Sequence, residues 1–398
     1  MPIAALEAGV FANTQTEAPF GGKGGGGADF GTPRALDASA AFLPQTESAE
    51  GLPLFGQEIL VTGGSRGTGA TVSLDLVGMG AKVTILTRNP EKIEGSVVKD
   101  AKTSQAGGKI SGEIDIDAHI TPVKVDFLNR RSIKNVGNEL ESKGGDKFSA
   151  EINVSAGGIE FYALRLTKAM GKLATIRTEQ GEEAFVEARA KLQQDVVQWV
   201  IRSMPMAMKV NYAGPSLLLE DLIQKGLFTD EAKYINFASA WSEAEKVAES
   251  ARDLDEDTIV PNWYRTISES KKAHDDEIHS DEGRSYLESN GVFPYTVVGQ
   301  VIDDTGVGRM VNQYLLPLLS EDDRKRYTDT NKPMMKADMS RAVQIMLLSD
   351  PNDPELWTPG QPRKLYVLGP TGTPEEARAN IVREIPQDHP MLTFRSPI

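Results

Sequence analysis

The chain has 398 residues, of which 39% are hydrophobic, so it is long enough for one large α/β domain or two smaller domains. Its 57 acidic residues outnumber 43 basic ones, and the net charge of −14 repels phosphate backbones, which predicts that the protein does not bind nucleic acid. The chain has no cysteine and its four histidines lack paired metal-ligand spacing, so we expect neither thiol chemistry nor a metal site.

The first segment, residues 1–53, is rich in Gly, Ala, Pro and Thr and includes the stretch FGGKGGGGADFGTP. This composition offers little apolar surface to offset the entropy lost on ordering, so it predicts a flexible N-terminal arm. The short apolar clusters VF, AAFL and LPLF leave open an arm that packs across a partner subunit.

A regular pattern follows in EILVTGGSRGTGATVSLDLVGMGAKVTILTRN, residues 58–89. A buried apolar run precedes a glycine-rich turn, then a helical pattern, then a second apolar run that ends at Arg88. Glycines 63, 67 and 69 suit a sharp turn that lets a cofactor pyrophosphate approach the amides at a helix N-terminus. The pattern predicts a dinucleotide-binding βαβ unit, and the alternative is an ordinary tight turn.

The turn TGGSRGTG resembles the TGxxxGxG cofactor turn of the short-chain dehydrogenase/reductase family. Six further segments are similar to landmarks of that family and occur in its order: VKVDFLN, EINVSAGG, MKVNYAG, YINFASA, PYTVVGQVIDDTG and LWTPGQPRKLYVLG. The resemblance implies that residues 54–372 form a single large Rossmann-type α/β domain, a doubly wound parallel sheet of about seven strands. A C-terminal extension, 373–398, follows it.

The resemblance also implies which residues bind a nicotinamide cofactor. Besides Lys271 and Arg88, these are Gly63, Ser65, Arg66, Gly67, Thr68, Gly69, Asp126, Phe127, Ala156 and Gly157. Asp126 corresponds to the residue that the family uses near the adenine. The chain departs from the family's usual NNAG in the segment VSAG, where Ser155 replaces an asparagine that steadies the strand.

The choice between NAD and NADP(H) follows from charge. An NAD-selective enzyme has a carboxylate at the end of the second strand, whereas an NADP-selective one presents a cation to the 2′-phosphate. This chain has Arg88 at that position and Arg66 in the glycine turn, and arginine binds phosphate in bidentate fashion. The sequence therefore predicts NADP(H), and the alternative is that both arginines are solvated surface residues.

Two segments, 159–205 and 240–262, are longer than the corresponding connections in the family. Both follow the carboxyl ends of predicted strands, where such folds bind ligands. They are interpreted as insertions that form a lid or a pocket wall, with a surface elaboration or an oligomer contact as alternatives.

The catalytic helix is predicted from NWYRTISESKKAHDD. When ISESKKA is aligned with the family's YSASKAA, Lys271 falls on the lysine and Ile267 on the tyrosine. Tyr264 stands about one turn earlier, and the spacing Tyr-x6-Lys resembles the enoyl-thioester reductases of the family. Residues seven apart complete about two helical turns and share one face, so both can reach one cleft.

The resemblance adds Asn211 and Ser239 to Tyr264 and Lys271 as catalytic residues. The tyrosine hydroxyl would stabilise or protonate the substrate oxygen after hydride transfer, while the lysine ammonium holds the cofactor ribose and lowers the tyrosine pKa. Ser239 favours carbonyl reduction, whereas the Tyr–Lys spacing favours enoyl reduction. Tyr264 could instead be a core aromatic residue, or another tyrosine could be the acid.

Together these patterns predict an NADPH-dependent reductase of a small enoyl or 3-oxoacyl thioester, as used in fatty acid or polyketide metabolism. The alternatives are a carbonyl reductase for another small substrate and a catalytically silent nucleotide-binding or scaffold protein. We expect a homodimer or homotetramer. No apolar run approaches the roughly 20 residues of a membrane span, and the N-terminus lacks a signal-peptide pattern, so a cytoplasmic location is expected.

Overall fold

The computed structural model describes residues 49–155, 160–239, 259–299, 334–354 and 356–385, with single positions between 308 and 325. At 160–164, 167 and 259–265 it describes the backbone only. Among the described residues, none of the helices has the length and apolar character needed to cross a membrane.

One sheet of eight strands organises the described part of the chain, in the order β3-β2-β1-β4-β5-β6-β7-β8. The strands are β1 Glu58–Thr62, β2 Lys82–Thr87, β3 Ile120–Lys124, β4 Phe148–Asn153, β5 Phe228–Ser239, β6 Val292–Gly299, β7 Arg363–Val367 and β8 Ile381–Val382. The first seven are parallel, and β8 pairs antiparallel with β7. The strand order reverses between β1 and β4, which confirms the predicted doubly wound sheet and adds an eighth strand at its edge.

The helices that connect these strands are α1 Gly67–Gly78, α2 Lys99–Ala106, α3 Ile116–His119, α4 Arg130–Lys143, α5 Glu160–Gln180, α6 Glu182–Met208, α7 Gly214–Gln224, α8 Ile259–His279, α9 Asp281–Ser289, α10 Lys336–Leu348 and α11 Pro374–Asn380. Contacting helices α1 and α10 cover one face of the sheet, while α4, α7 and α8 cover the other. A short 3-10 helix, Ala49–Gly51, precedes β1, and short 3-10 and π turns precede α2.

Both faces of the sheet are buried, and the sequence of β1 shows why. Ile59 and Val61 belong to the core cluster under α1 and α10, whereas Leu60 belongs to the cluster under α4 and α7. A strand covered by helices on both sides requires a continuous apolar run. The central strands are therefore packed on both faces, and because they are parallel their carboxyl ends all lie at one edge of the sheet.

The predicted domain boundaries stay predictions in most respects. Ala49, Leu52 and Leu54 are already buried in the core, and the Leu54 amide donates to the Met79 carbonyl at 2.9 Å. The end of the predicted arm is therefore packed, while residues 1–48 lie outside the described residues. In the predicted C-terminal extension, α11 leads into β8, which joins the edge of the same sheet.

The first predicted insertion, 159–205, corresponds to α5 and most of α6, which contact each other across Gly181. Helix α6 also contacts α8 and buries Leu192, Val196 and Val200. Of the second insertion, 240–262, residues 240–258 lie outside the described residues.

Candidate functional site

The turn between β1 and α1 has the geometry that its glycines predict. Gly63 has φ +74° and Gly67 has φ +60°, a region that residues with a Cβ rarely adopt. A Cβ on Gly69 would lie 2.3 Å from the Gly63 carbonyl oxygen. The turn therefore depends on these glycines and leads directly into the N-terminus of α1, the end of a helix that favours anions. Ser65 and Thr68 are partly buried in this turn.

Two arginines stand beside the turn. Arg66 occupies the position directly before α1 in an extended conformation, and Arg88 directly follows β2, the neighbour of β1. Both side chains are exposed. Their places at the carboxyl ends of adjacent strands are those expected of residues that meet the adenosine side of a dinucleotide.

The end of β3 lies next to the end of β2, because the Val125 amide donates to the Thr87 carbonyl at 2.9 Å. Asp126 accepts a hydrogen bond from the Leu128 amide. Phe127 is buried, and a Cβ placed on Gly214 would lie 2.7 Å from its Cβ. Both predicted residues therefore lie beyond the carboxyl end of β3, at the same edge of the sheet as Arg88, whereas Ala156 and Gly157 lie outside the described residues.

Asn211 lies in a π-helical segment, Lys209–Ala213, that joins α6 to α7. Pro205 and Pro215 flank the segment, and proline has no N–H to continue the helical hydrogen bonds. The Asn211 side chain is buried, and its Nδ2 donates to Ser270 Oγ at 2.9 Å. The distortion thus coincides with a predicted catalytic residue and connects it to α8.

Lys271 is buried on α8, and its Nζ donates to the Phe237 carbonyl at 2.6 Å. Burial lowers the pKa of Lys271 to about 7, because a charged ammonium loses solvation in the protein interior. Phe237 stands two residues before Ser239, the buried last residue of β5. The structure therefore brings Lys271 and Ser239 to the end of β5, and Asn211 is hydrogen-bonded to Ser270, the residue before Lys271.

Position 264 lies on α8, seven residues before Lys271 and hence on the same helical face. The side chain of Tyr264 is outside the described residues, so its role stays a prediction. Ile267, which stands where the family has tyrosine, is buried in the core. The position four residues before Lys271 therefore carries no hydroxyl.

The sequence patterns missed a row of polar side chains inside the sheet. Thr62, Asn153 and Asn236 lie in register on β1, β4 and β5, and all are buried. Thr62 Oγ1 donates to Asn153 Oδ1 at 2.9 Å, and Asn153 Nδ2 donates to Asn236 Oδ1 at 3.1 Å. The available signal was a polar residue at the end of β1 and of β4 and one inside β5, which does not by itself reveal that the three meet.

A second missed group connects β5 to α8. Tyr234 Oη lies 2.6 Å from His274 Nε2, His274 Nδ1 lies 3.0 Å from Ser216 Oγ, and Ser216 donates to Glu277. Burial lowers the pKa of His274 to about 3, so the ring is neutral and its Nδ1–H donates to Ser216. This series of hydrogen bonds holds α8 against the sheet below Lys271.

Among the described residues there is no cluster of three or more His, Asp or Glu side chains that could hold a metal ion.

In fold the chain is similar to a short-chain type dehydrogenase/reductase from Mycobacterium ulcerans, with a TM-score of 0.50 and 16% identity over 83% of this chain and 92% of the other. It is also similar to a proposed D-mannonate oxidoreductase from Haemophilus influenza with bound NAD, with a TM-score of 0.50 and 17% identity over 83% and 98% of the two chains. No protein-family model matches the chain, and no curated protein matches it in sequence. The chain thus has the Rossmann-type fold of these dehydrogenases.

Proposed function

We propose that the protein belongs to the short-chain dehydrogenase/reductase family and is an NADPH-dependent reductase of an enoyl or 3-oxoacyl thioester. The observation that carries this proposal is Lys271, a buried lysine at the carboxyl end of β5 whose pKa is lowered to about 7. Among the described residues no carboxylate pairs with Lys271, and a lysine in such a position is costly to bury, which favours a functional role.

The glycine turn supports a dinucleotide ligand, because Gly69 lets α1 approach the Gly63 carbonyl and presents the helix N-terminus to a pyrophosphate. A bound nicotinamide would supply the hydride. Arg66 and Arg88 favour NADPH through their charge, although the Haemophilus protein of the same fold was solved with NAD.

In the proposed reaction, Tyr264 donates a proton or a hydrogen bond to the substrate oxygen as charge develops there. The Lys271 ammonium lowers the pKa of that hydroxyl and binds the cofactor ribose. Asn211, held by Ser270, supports the helix segment that faces Lys271. Ser239 places a hydroxyl at the end of β5 that can polarise a carbonyl oxygen.

The presence of Ser239 favours a second candidate, reduction of a ketone or aldehyde outside acyl-thioester metabolism. A catalytically silent nucleotide-binding protein is the third, because Ile267 occupies the family's usual tyrosine position.

The test measures NADPH oxidation, monitored by the loss of NADPH absorbance, with a crotonyl thioester, an acetoacetyl thioester and simple ketones as substrates. Lys271→Met serves as the inactive control. Turnover with the crotonyl thioester supports enoyl reduction, and turnover with acetoacetyl thioester alone supports 3-oxo reduction. Cofactor binding without turnover of any substrate would support the silent homologue, and absence of binding would reject the proposal.

A further inference from the structure

Asn153 occupies a point where three strands meet. It is the last residue of β4, which lies between β1 and β5 in the sheet. Its register partners are Thr62 on β1 and Asn236 on β5, and each of the three side chains is at most 1% exposed. Side chains two residues apart on a strand point to the same face of the sheet. Two residues before each of these three stands a side chain on the face covered by α4 and α7, so all three lie on that face as well.

One amide group connects these strands. Asn153 Oδ1 accepts from Thr62 Oγ1 at 2.9 Å and from the Ser155 amide at 3.2 Å, while its Nδ2 donates to Asn236 Oδ1 at 3.1 Å. An amide side chain carries an acceptor and a donor on one planar group, whereas an aspartate carboxylate only accepts, a lysine ammonium only donates and the serine hydroxyl is shorter. Asn153 is therefore matched to the groups around it.

The two outer strands carry different parts of the site. Thr62 precedes Gly63, where a Cβ would lie 3.2 Å from the Val154 carbonyl carbon, so the glycine turn rests against the chain that follows Asn153. Asn236 precedes Phe237, whose carbonyl accepts from Lys271. The hydrogen bonds of Asn153 thus lie between the predicted cofactor turn and the predicted catalytic lysine.

We propose that Asn153 is a positioning residue that sets the separation of the glycine turn and the Lys271 end of β5. Its effect on cofactor binding rests on the proposed function, whereas its effect on the strand ends does not. Loss of the amide leaves Thr62 Oγ1 with only contacts at 3.4 Å and leaves Asn236 Oδ1 without its donor, in a place that water reaches poorly. The strand ends are then free to shift by the few tenths of an ångström that a preorganised site does not tolerate.

The first experiment compares Asn153→Ala with Lys233→Met. Lys233 lies on the opposite face of β5 from Asn236, where its Nζ donates to the Leu347 and Ser349 carbonyls, so its substitution also removes buried hydrogen bonds but none on the face that carries Asn153. We expect Asn153→Ala to raise the Kd for NADPH by about tenfold, the effect of a lost buried hydrogen bond, and Lys233→Met to leave it within about twofold. Equal changes in Kd for the two variants would overturn the proposal.

A rescue sharpens this comparison. Ser155 Oγ already lies 3.4 Å from Thr62 Oγ1, so a longer amide at position 155 can give Thr62 a new partner. Asn153→Ser is expected to weaken NADPH binding, and adding Ser155→Asn is expected to restore most of the loss. Failure of the second substitution to restore affinity in a folded protein would show that the amide is not what positions the turn.

A third measurement needs no cofactor. In a double-mutant cycle of Thr62→Val and Asn153→Ala, urea unfolding should show a coupling of at least about fivefold in the unfolding equilibrium constant. Amide hydrogen exchange at residues 63, 64, 237 and 238 should quicken in Asn153→Ala and not in Lys233→Met. Independent effects in the cycle together with unchanged exchange would refute the proposal. A wild-type protein that binds no nicotinamide would instead refute the proposed function and leave these two measurements to decide on Asn153.

Discussion

Replacing Glu151 with glutamine is expected to stabilise the protein at neutral pH and to change how its stability depends on pH. Glu151 lies inside β4 between Leu60 and Tyr234, is fully buried, and has no hydrogen-bond partner for either carboxyl oxygen among the described residues. Burial raises its pKa from 4.5 to about 8, because the charged carboxylate loses its solvation. At neutral pH the folded protein therefore holds a proton that the unfolded chain releases.

The sign and size of the effect follow from this difference. Between pH 4.5 and about 8 the folded state binds more protons at Glu151 than the unfolded state does, so the contribution of Glu151 to stability falls as pH rises. The slope approaches 1.4 kcal/mol per pH unit in this range, and the loss at pH 7 is about 3 kcal/mol. Above pH 8 both states are ionised and the contribution no longer changes.

Other buried groups change stability over part of the same range, so a single pH profile does not isolate Glu151. Burial lowers the pKa values of His274 and His279 to about 3 and about 4, which makes stability rise with pH up to the ordinary histidine value of 6.5. Burial lowers the pKa of Lys271 to about 7, which makes stability rise from there toward 10.5. These contributions cancel when wild type and Glu151→Gln are compared at the same pH.

The assay is urea unfolding of both proteins at constant ionic strength from pH 5.5 to pH 9. The difference in the free energy of unfolding between Glu151→Gln and wild type should grow by about 2 kcal/mol between pH 5.5 and pH 7 and level off above about pH 8. Glu151→Leu, which removes the polar group altogether, should show the same pH dependence. Its free energy of unfolding should also be higher than that of Glu151→Gln by an amount that does not vary with pH. A difference that does not vary with pH would show that Glu151 titrates near its ordinary value and that its burial is compensated.

Three further predictions concern the proposed activity. Tyr264→Phe should lower kcat about 100-fold or more in steady-state assays while NADPH affinity changes little, because only the proton donor is lost; full activity would make Tyr264 a packing residue. Arg88→Glu should weaken NADPH far more than NADH in binding titrations, since a charge-assisted phosphate contact contributes about 1.5 to 3 kcal/mol, and Arg378→Glu on α11 is the matched exposed control. Equal losses for the two cofactors would reject the 2′-phosphate contact. Shortening residues 240–258 should raise KM for long acyl thioesters more than for short ones, and unchanged kinetics would make this segment a surface or oligomer element.

The fold could be predicted because its signals are local. The glycine turn, the apolar runs and their order each occupy a short window, and the structure has β1, α1 and β2 where the pattern predicted them. The positions of Lys271 and Ser239 followed from the same segments. The π-helical distortion at Lys209–Ala213 is marked in the sequence only by its two flanking prolines, which do not by themselves predict it.

The polar contacts inside the sheet could not be predicted in the same way. Asn153 meets Thr62 and Asn236, which are 91 and 83 residues away in the chain. Glu151 interrupts an apolar strand, and its sequence neighbours do not indicate whether it has a partner. Such contacts depend on strand register, which a single sequence determines only through the whole fold.

The inner face of α8 shows how these contacts bear on the candidate site. At Lys271, His274 and Asp275 this face presents polar groups to the sheet, where most buried helices present hydrocarbon. Each of these groups has a hydrogen-bond partner. Lys271 bonds to the Phe237 carbonyl, His274 to Tyr234, and Asp275 to Thr296 and Lys364.

A shift of α8 by one turn would separate all of these pairs and leave charged groups buried without partners. Apolar packing alone tolerates small shifts of a helix along the sheet, whereas these hydrogen bonds form in only one register of α8. Position 264 lies two turns before Lys271 on the same face, so the polar contacts beneath α8 also fix where that position stands relative to the end of β5. The buried network below the site is thus what orients the helix that carries the predicted tyrosine and lysine.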